Sequence, residues 1–314
     1  MEGGVHLPVL VAEVLNYLDC RPDRIYIDAT VGSGGHARRI LEQSAPTGKV
    51  IGLDCDAAAI VRAKQNLVSF GERFLAVQEN FRDLKEVLDS LSIPAVDGIL
   101  ADLGVSSEQV DDPGRGISFR WEAPLDMRLD LRGPITAQEL IRRLSAEEME
   151  KIIREFGEER WARRIARAIA KRRLIRPLKT TGDLVEVILQ AVPSYRTRLH
   201  PATRTFQALR IAVNQELTNL ETFLREGRGL LKPGGRLCVI SFHSLEDRIV
   251  KGHFREWRKG ARGETPPFRL LTPKPVAPSA GEIRFNPRAR SAKLRAIEKI
   301  SEPTERGEYG GVRL

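Results

Sequence analysis

The stretch Asp28-Ala-Thr-Val-Gly-Ser-Gly-Gly-His36 decides the fold. It follows the apolar run 25–28, which predicts a short buried strand, and it precedes residues 36–43, which predict a helix. Glycines at a strand-to-helix turn let a ligand approach the backbone, and they expose N–H groups at the start of the helix. The turn therefore predicts a ligand-binding loop, with a glycine-rich turn that binds nothing as the alternative.

The segments on either side of this turn extend the same alternation of strands and helices. Apolar runs predict further strands, and helical spacing of apolar residues predicts helices between them. The predicted strands are 50–54, 74–78 and 97–102, and the predicted helices are 57–69 and 81–91. This alternation predicts a parallel α/β sheet with helices on both faces.

The alternation stops after Asp102, and only helices are predicted until the strand 236–241. Residues 103–135 are rich in Gly, Pro and Asp, which predicts a loop. The predicted helices begin with capping boxes at Thr136 and Ser145, continue around 161–169 and 184–191, and end with one long helix over 203–225. Residues 259–290 predict a surface loop. The predicted domains are a first sheet part (1–107), a helical insert (108–211) and a second sheet part (212–314).

Composition excludes several classes of protein. The chain has 314 residues, of which 41% are hydrophobic and 30% charged, as in a folded globular protein. No run of apolar residues is long enough for a membrane span, and the N-terminus lacks the features of a signal peptide. Three scattered cysteines predict neither a disulfide framework nor a zinc cluster. We therefore expect a cytoplasmic protein without a metal.

The positive charge of the chain is concentrated in the predicted insert. The net charge is +9, whereas residues 160–210 hold thirteen Lys and Arg against two acids. Nine of these cations lie between Arg160 and Lys179 with no acid among them. A merely solvated helix usually mixes both signs. This region is therefore predicted to bind a phosphate backbone, and we select Arg163, Arg167 and Arg172 as the candidate RNA-binding residues.

Four signals together identify the class of ligand. The turn is closer to the D-x-G-x-G-x-G loop of S-adenosylmethionine methyltransferases than to the G-x-G-x-x-G of dinucleotide-binding folds, with Thr30 at the first glycine position. Asp54 ends the second strand, where a carboxylate accepts hydrogen bonds from a ribose diol, a feature that dinucleotide and S-adenosylmethionine enzymes share. Asp102 ends the fourth strand at the ligand-binding edge, and Lys232-Pro-Gly-Gly235 precedes the late strand. Together they favour a methyltransferase over a nicotinamide dehydrogenase.

The chain also resembles a definite family over almost its whole length. The motifs that carry the resemblance are His6-Leu-Pro-Val-Leu10, the turn 28–36, Asp102-Leu-Gly-Val-Ser-Ser107, residues 109–119, Pro124-Leu-Asp-Met-Arg128, Ser241-Phe-His-Ser-Leu-Glu-Asp-Arg248 and Asn286-Pro-Arg-Ala-Arg-Ser291. They are similar to the bacterial 16S rRNA cytosine-N4 methyltransferases of the RsmH or MraW type. The local departures, Val31 and Ser33, lie at positions that we expect to tolerate change.

The resemblance implies a class I, Rossmann-like S-adenosylmethionine methyltransferase with an inserted helical domain. It implies methylation of N4 of a decoding-centre cytidine in 16S rRNA of the 30S subunit. The implied cofactor contacts are Gly34, Gly35, His36, Asp54, Phe81, Asp102 and Gln109. A homodimer is one oligomeric state that the sequence leaves open.

Cytosine N4 is a poor nucleophile because its lone pair is delocalised into the ring, so catalysis depends chiefly on positioning. Acceptors must hold the N4 hydrogens, and our candidates for the catalytic residues are Asp102, Phe242 and His243. Phe242 or Trp121 could stack on a splayed base. Core packing of Phe242 and an ordinary strand-end role of His243 are the alternatives. Asp102-Leu-Gly-Val departs from the Asp/Asn/Ser-Pro-Pro-aromatic string of DNA amino-methyltransferases, which disfavours DNA. Another RNA substrate and a non-catalytic assembly factor stay open.

Overall fold

The computed structural model describes residues 8–193, 199–259 and 267–300. His6, Leu7, Arg196, Arg198 and residues 260–266, which the sequence patterns above include, lie outside the described residues. Seven strands form one sheet: β1 (Ile25–Asp28), β2 (Lys49–Asp54), β3 (Phe74–Gln78), β4 (Val96–Asp102), β5 (Leu231–Ser241), β6 (Phe268–Leu270) and β7 (Lys293–Lys299).

The strand order is β3-β2-β1-β4-β5-β7-β6. The first five strands of this order are parallel, and β7 pairs antiparallel with both β5 and β6. The chain moves outward in opposite directions from β1 and β4, so a topological switch point lies between these two strands. Ligands of open α/β sheets bind at the carboxyl ends of the strands beside such a point. The predicted α/β class is confirmed.

Thirteen α-helices accompany the strands in the described ranges. They are α1 (Val11–Leu18), α2 (Gly35–Gln43), α3 (Ala57–Asn66), α4 (Leu84–Ser90), α5 (Ser107–Asp111), α6 (Ala137–Arg143), α7 (Ala146–Gly157), α8 (Ala162–Ile175), α9 (Thr181–Ala191), α10 (Thr203–Asn214), α11 (Glu216–Leu230), α12 (Ser244–Trp257) and α13 (Ala280–Phe285). None of these helices combines the length and apolarity that a membrane span needs.

Both faces of the sheet are buried, which explains why the strands read as continuous apolar runs. Side chains alternate between the faces along each strand. Ile27 and Ile99 belong to one apolar cluster, with Phe223 of α11. Tyr26 and Leu100, one position away on the same strands, belong to the cluster on the opposite face. The sheet is therefore the middle layer of three.

The helices α6 to α10 form a unit with its own core. Its apolar cluster contains residues from Leu125 to Leu209, which lie within the predicted insert 108–211. The predicted capping residues act as expected, because Thr136 accepts a hydrogen bond from the Glu139 N–H and Ser145 forms a capping box with Glu148. These helix starts are readable from sequence because the signal is local.

Three predicted segments differ in the structure. The long helix over 203–225 is wrong, because Gln215 adopts a left-handed conformation with φ 51° and separates α10 from α11. The predicted loop 103–135 contains α5, which begins with a capping box between Ser106 and Gln109. The predicted surface loop 259–290 contains β6 and α13 in its described part. β6 forms there because it completes the sheet against β7.

Gly116 offers a test of how tightly the segment after α5 is packed. Its φ is 62°, and a Cβ atom there would lie 2.0 Å from the carbonyl oxygen of Pro124. Gly116→Ala should lower the free energy of unfolding by at least about 2 kcal/mol, because it combines backbone strain with a steric clash. Gly114→Ala is the matched control, since its nearest neighbour is an Asp112 oxygen at 3.1 Å. Equal denaturation midpoints for both variants would contradict this packing.

Candidate functional site

A cleft opens at the carboxyl edge of β1, β2 and β4, at the switch point. Its walls come from the β1–α2 turn, the ends of β2 and β4, residues 103–109 and the C-terminal Asn286 and Arg288. The predicted site residues that line it are Gly35, His36, Asp54, Phe81, Asp102, Gln109 and Phe242. Gly34 and His243 are not among the lining residues.

The β1–α2 turn shows why its glycines are needed. Gly32 and Gly34 have positive φ angles of 53° and 92°, which other residues rarely adopt. A Cβ atom on Gly34 would also lie 2.8 Å from the Leu67 side chain. Gly34 therefore shapes the turn, while Gly35 begins α2 and faces the cleft. The start of α2 offers backbone N–H groups and a positive dipole end to an anionic group in the cleft.

Asp54 lies at the end of β2 with both carboxylate oxygens oriented by the backbone. Oδ2 accepts a hydrogen bond from the Gly32 N–H at 3.0 Å, and Oδ1 accepts one from the Asp56 N–H at 2.9 Å. Burial raises the pKa of Asp54 to about 6. Each oxygen of a carboxylate can accept a second hydrogen bond. Asp54 therefore suits a pair of ligand hydroxyls such as a ribose diol.

Asp102 and His36 face each other at the floor of the cleft. The Asp102 N–H donates to Thr30 Oγ1 at 2.7 Å, which fixes the end of β4 against the turn. His36 Nε2 lies 3.5 Å from Asp102 Oδ2. Burial alone would lower the pKa of His36, but Asp102 and then Asp28 raise it above its usual value. His36 Nε2 and Asp102 Oδ1 are buried without a hydrogen-bond partner, which fits a polar ligand in this cleft.

Asp28, at the end of β1, adds a fully buried acid close to His36. Its side chain is 1% exposed, and burial raises its pKa to about 6. His36 opposes this rise, because a nearby imidazolium favours the charged carboxylate. The floor of the cleft therefore concentrates negative charge around one histidine.

Residues 103–117 are tied to the cleft by the buried carboxylate of Asp56, which the sequence analysis missed. Asp56 Oδ1 accepts hydrogen bonds from the Ala58 N–H and from Arg115 Nη2, and Oδ2 accepts one from Gln109 Nε2. Arg115 Nη1 also donates at 3.0 Å to the carbonyl of Leu129, which lines the cleft. Gln109 therefore anchors the segment as well as lining the cleft. The sequence signal that was available is the helix-capping position of Asp56 before α3.

Phe242 and His243 follow β5 but have different surroundings. The half-buried ring of Phe242 lines the cleft. His243 instead caps α12, where its Nδ1 accepts a hydrogen bond from the Glu246 N–H at 3.4 Å. A side chain committed to this cap does not reach the cleft. The geometry therefore favours a structural role for His243, in contrast to the predicted catalytic one.

One group of potential metal ligands exists among the described residues: Glu216, His243 and Glu246. Arg210 already donates to both carboxylate oxygens of Glu216 at 2.8 Å. His243 Nδ1 accepts a hydrogen bond from the Glu246 N–H, and its Nε2 lies 3.3 Å from Glu246 Oε1. We interpret the group as an ion-pair network between α10, α11 and α12.

The predicted RNA-binding arginines lie on α8, outside the cleft. Arg163 and Arg167 are exposed and about one helical turn apart on one face. Arg172 is about two and a half turns from Arg163, which places it on the opposite side of the helix. Its Nη1 donates to the carbonyl of Arg176. Lys171 therefore shares the face of Arg163 better than Arg172 does. Trp121 is exposed on the helical insert and does not line the cleft.

A family model described as the MraW methylase family matches residues 4–300. The chain belongs to the MraW methylase family. It is 53% identical over 307 residues to a Geotalea daltonii protein named Ribosomal RNA small subunit methyltransferase H, covering 94% of this chain and 98% of that one. It is 52% identical to the Geobacter sulfurreducens protein of the same name, covering 94% and 99%.

A solved structure of a putative rRNA-methylase from Clostridium thermocellum is 11% identical, with a TM-score of 0.47 and coverage of 94% of this chain and 100% of that one. Membership of the family confirms the predicted resemblance. This MraW methylase is a methyltransferase, and its methyl donor is S-adenosylmethionine, as the glycine turn, Asp54, Asp102 and Lys232-Pro-Gly-Gly235 together predicted. That cofactor fits His36 Nε2 and Asp102 Oδ1, which have no hydrogen-bond partner, and the Asp54 carboxylate, whose oxygens can each accept a second hydrogen bond.

Cofactor binding by the MraW methylase should weaken as the pH falls through 6. Asp54 has a raised pKa of about 6, so its carboxylate is present above that pH and is lost below it. Asp54→Asn should raise the Kd for S-adenosylmethionine roughly 10- to 100-fold at pH 7.5. The charged carboxylate, which accepts hydrogen bonds through both oxygens, is replaced by a neutral amide with one acceptor oxygen. Calorimetric titration between pH 5 and 8 measures both effects.

Asp89→Asn is the control, because Asp89 pairs with Lys85 on the exposed surface of α4. Asp28 also titrates near pH 6, so Asp54→Asn should reduce the pH dependence without abolishing it. An identical Kd at pH 5 and pH 8 in the unsubstituted protein would contradict the assignment of Asp54.

Proposed function

We propose that this methyltransferase methylates the N4 amino group of a decoding-centre cytidine in 16S rRNA of the small ribosomal subunit. The relatives that align over nearly their whole length are named for methylation of small-subunit ribosomal RNA. The observation that carries the choice of an amino group is Asp102. Its carboxylate lies at the switch point of the sheet with Oδ2 3.5 Å from His36 Nε2, and its backbone N–H donates to Thr30 Oγ1.

The residues that would hold the cofactor surround one end of the cleft. The backbone at Gly34, Gly35 and His36 would bind the anionic methionine carboxylate at the start of α2. Asp54 would accept the ribose hydroxyls. Phe81 would pack beside the adenosine, since its ring lines the cleft and meets Phe223 edge-on at 5.5 Å. When bound, S-adenosylmethionine supplies an electrophilic methyl group on sulfur.

Asp102 would act on the amino group of the base. Its carboxylate accepts an N4 hydrogen, which turns the nitrogen lone pair out of conjugation and toward the methyl group. The nitrogen becomes positively charged on methylation and readily gives up one proton, so the weak base Asp102 suffices. The His36 ring lies beside this carboxylate, with Nε2 3.5 Å from Asp102 Oδ2. Phe242 offers a face on which the splayed base can stack.

The cysteine in the cleft argues against methylation of a pyrimidine carbon through a covalent thiolate adduct. Cys55 is the one of the three cysteines that lines the cleft. Burial, followed by the charge of Asp54, raises the pKa of its thiol. A nucleophilic cysteine needs a lowered pKa. Cys55 therefore does not have the electrostatic surroundings of a nucleophile, and direct attack by an amino nitrogen fits the cleft better.

The test of this function uses labelled S-adenosylmethionine and 30S subunits from a strain that lacks N4-methylcytidine. Digestion of the rRNA and mass spectrometry should identify N4-methylcytidine at one position. Asp102→Ala should lower the rate roughly 10²- to 10⁴-fold, because it removes the group that positions the amine and accepts its proton. Detection of 5-methylcytidine as the product would contradict the proposal. An absence of methyl transfer while the cofactor still binds would also contradict it.

The basic face of α8, formed by Arg163, Arg167 and Lys171, would bind the phosphates of the rRNA without recognising its sequence. Arg163→Glu combined with Arg167→Glu should raise the KM for 30S subunits roughly tenfold. It should also reduce the slope of log Kd against log salt by about one for each phosphate that the protein then leaves unneutralised. Arg172→Glu is the matched control, since its side chain points away from that face and should change KM less. Unchanged RNA kinetics in the double variant would exclude this face as the phosphate-binding surface.

A further inference from the structure

A second cleft lies in the helical insert, between α6 and the C-terminal end of α8. We call it the α6–α8 cleft, and its volume is about 260 Å³. Ile141 and Leu178, which are 2% and 3% exposed, form its apolar floor. Leu174 and Pro177 form one wall, and Gln138 lies opposite on α6. None of these residues belongs to the cleft at the switch point of the sheet.

The wall of the α6–α8 cleft exposes an unusual amount of apolar surface. Leu174 is 85% exposed and the adjacent Ile175 is 77% exposed, although single exposed apolar side chains are more common than adjacent pairs. Both lie at the end of the helix that carries Arg163, Arg167 and Lys171. Covering this surface with a partner would be favourable, because apolar area would leave water.

The charges around the α6–α8 cleft indicate the kind of partner. Arg142 and Arg173 line it, and Arg176 and Lys179 are exposed beside its wall. The nearest acid on α6, Glu139, is paired with Arg142 and Arg143. An apolar slot rimmed by cations matches a group that has two apolar faces and an attached anion. A nucleotide has this combination, since its base is flat and its phosphate is negative.

The cleft is also held open by the fold itself. Arg173 Nη1 donates hydrogen bonds to the carbonyls of Ile141 and Leu144, which close the C-terminal end of α6. The α8 wall and the α6 wall are therefore joined by the half-buried side chain of one arginine. A preformed cleft loses less conformational entropy when it binds a ligand. Its volume is below the roughly 300–1,000 Å³ of sites for drug-sized ligands, which suits a single base.

We propose that the α6–α8 cleft is a subsite for one unpaired nucleobase of the RNA substrate, distinct from the base that is methylated. This inference rests on the proposed function. Leu174 and Pro177 pack against one face of the base, and the Gln138 amide, which is both a donor and an acceptor, meets its polar edge. Phosphate contacts fix position but carry no sequence information. A base bound in this cleft fixes which nucleotide of the substrate lies at each position on the protein. The arginines of α8, which contact phosphates, cannot do this.

The experiment compares Leu174→Ser and Gln138→Ala with Val68→Ser, which changes another highly exposed apolar residue (77%) in the turn after α3. Binding to unmethylated 30S subunits is measured at several salt concentrations. Leu174→Ser should raise Kd roughly fivefold or more, because apolar contact with the base is lost, with the salt slope unchanged. Val68→Ser should not change Kd. Thermal denaturation should show that all three variants stay folded, because the changed side chains are exposed.

A photo-crosslinking residue in place of Leu174 identifies the occupant directly. Cross-links to one unpaired nucleotide of 16S rRNA support the subsite. Cross-links confined to a ribosomal protein or to a second copy of this chain overturn it, as does an unchanged Kd for Leu174→Ser. Methyl transfer by the unsubstituted enzyme reports separately on the proposed function. Transfer without any effect of Leu174→Ser overturns the subsite alone, whereas RNA cross-links without transfer retain the subsite and overturn the function.

Discussion

The ion pair between Asp56 and Arg115 holds the arrangement around the cleft at the switch point of the sheet. Asp56 is 3% exposed and Arg115 is 7% exposed, so neither charge could stay buried without the other. Their atoms meet at 2.8 Å although 59 residues separate them in the chain. Because Asp56 is fixed at the start of α3, Arg115 draws the segment after β4 across the carboxyl edge of the sheet. Gln109 and Leu129, both in the cleft wall, are bonded to the same pair.

A second set of contacts, made of ion pairs and a hydrogen bond, joins the helical insert to the sheet beside β5. The carboxylate of Glu158, at the end of α7, accepts hydrogen bonds from Ser244 at 2.6 Å and Arg248 at 2.9 Å. Arg210 of α10 pairs with Glu216 across the break at Gln215. These contacts surround the start of α12, immediately after Phe242. The orientation of the insert is therefore coupled to the wall of the cleft, which is what a bound polynucleotide needs if its target base is to enter that cleft.

Signals that lie within one turn of the chain were readable from the sequence. The glycine turn, Asp54 and Asp102 could be placed because the carboxyl ends of parallel strands share one edge. The roles that depend on distant partners could not be placed. Asp56 has no local sign that Arg115 will reach it, and the left-handed Gln215 resembles any other residue in a helical run. His243 looked catalytic because it follows the strand that ends at Ser241, whereas its use as a helix cap appears only with its partner Glu246 in place.

The electrostatics of the cleft fit a cofactor that changes charge during the reaction. Asp54 and Asp102 line the cleft and Asp28 lies beneath it, and burial raises the pKa of Asp28 and of Asp54 to about 6 because their charges are poorly solvated. A sulfonium ion offsets this negative charge, so its binding should favour the ionised carboxylates. Methyl transfer turns the sulfonium into a neutral thioether and removes that compensation. The reaction therefore changes the charge that faces Asp28 and Asp54, whose own ionisation depends on that charge.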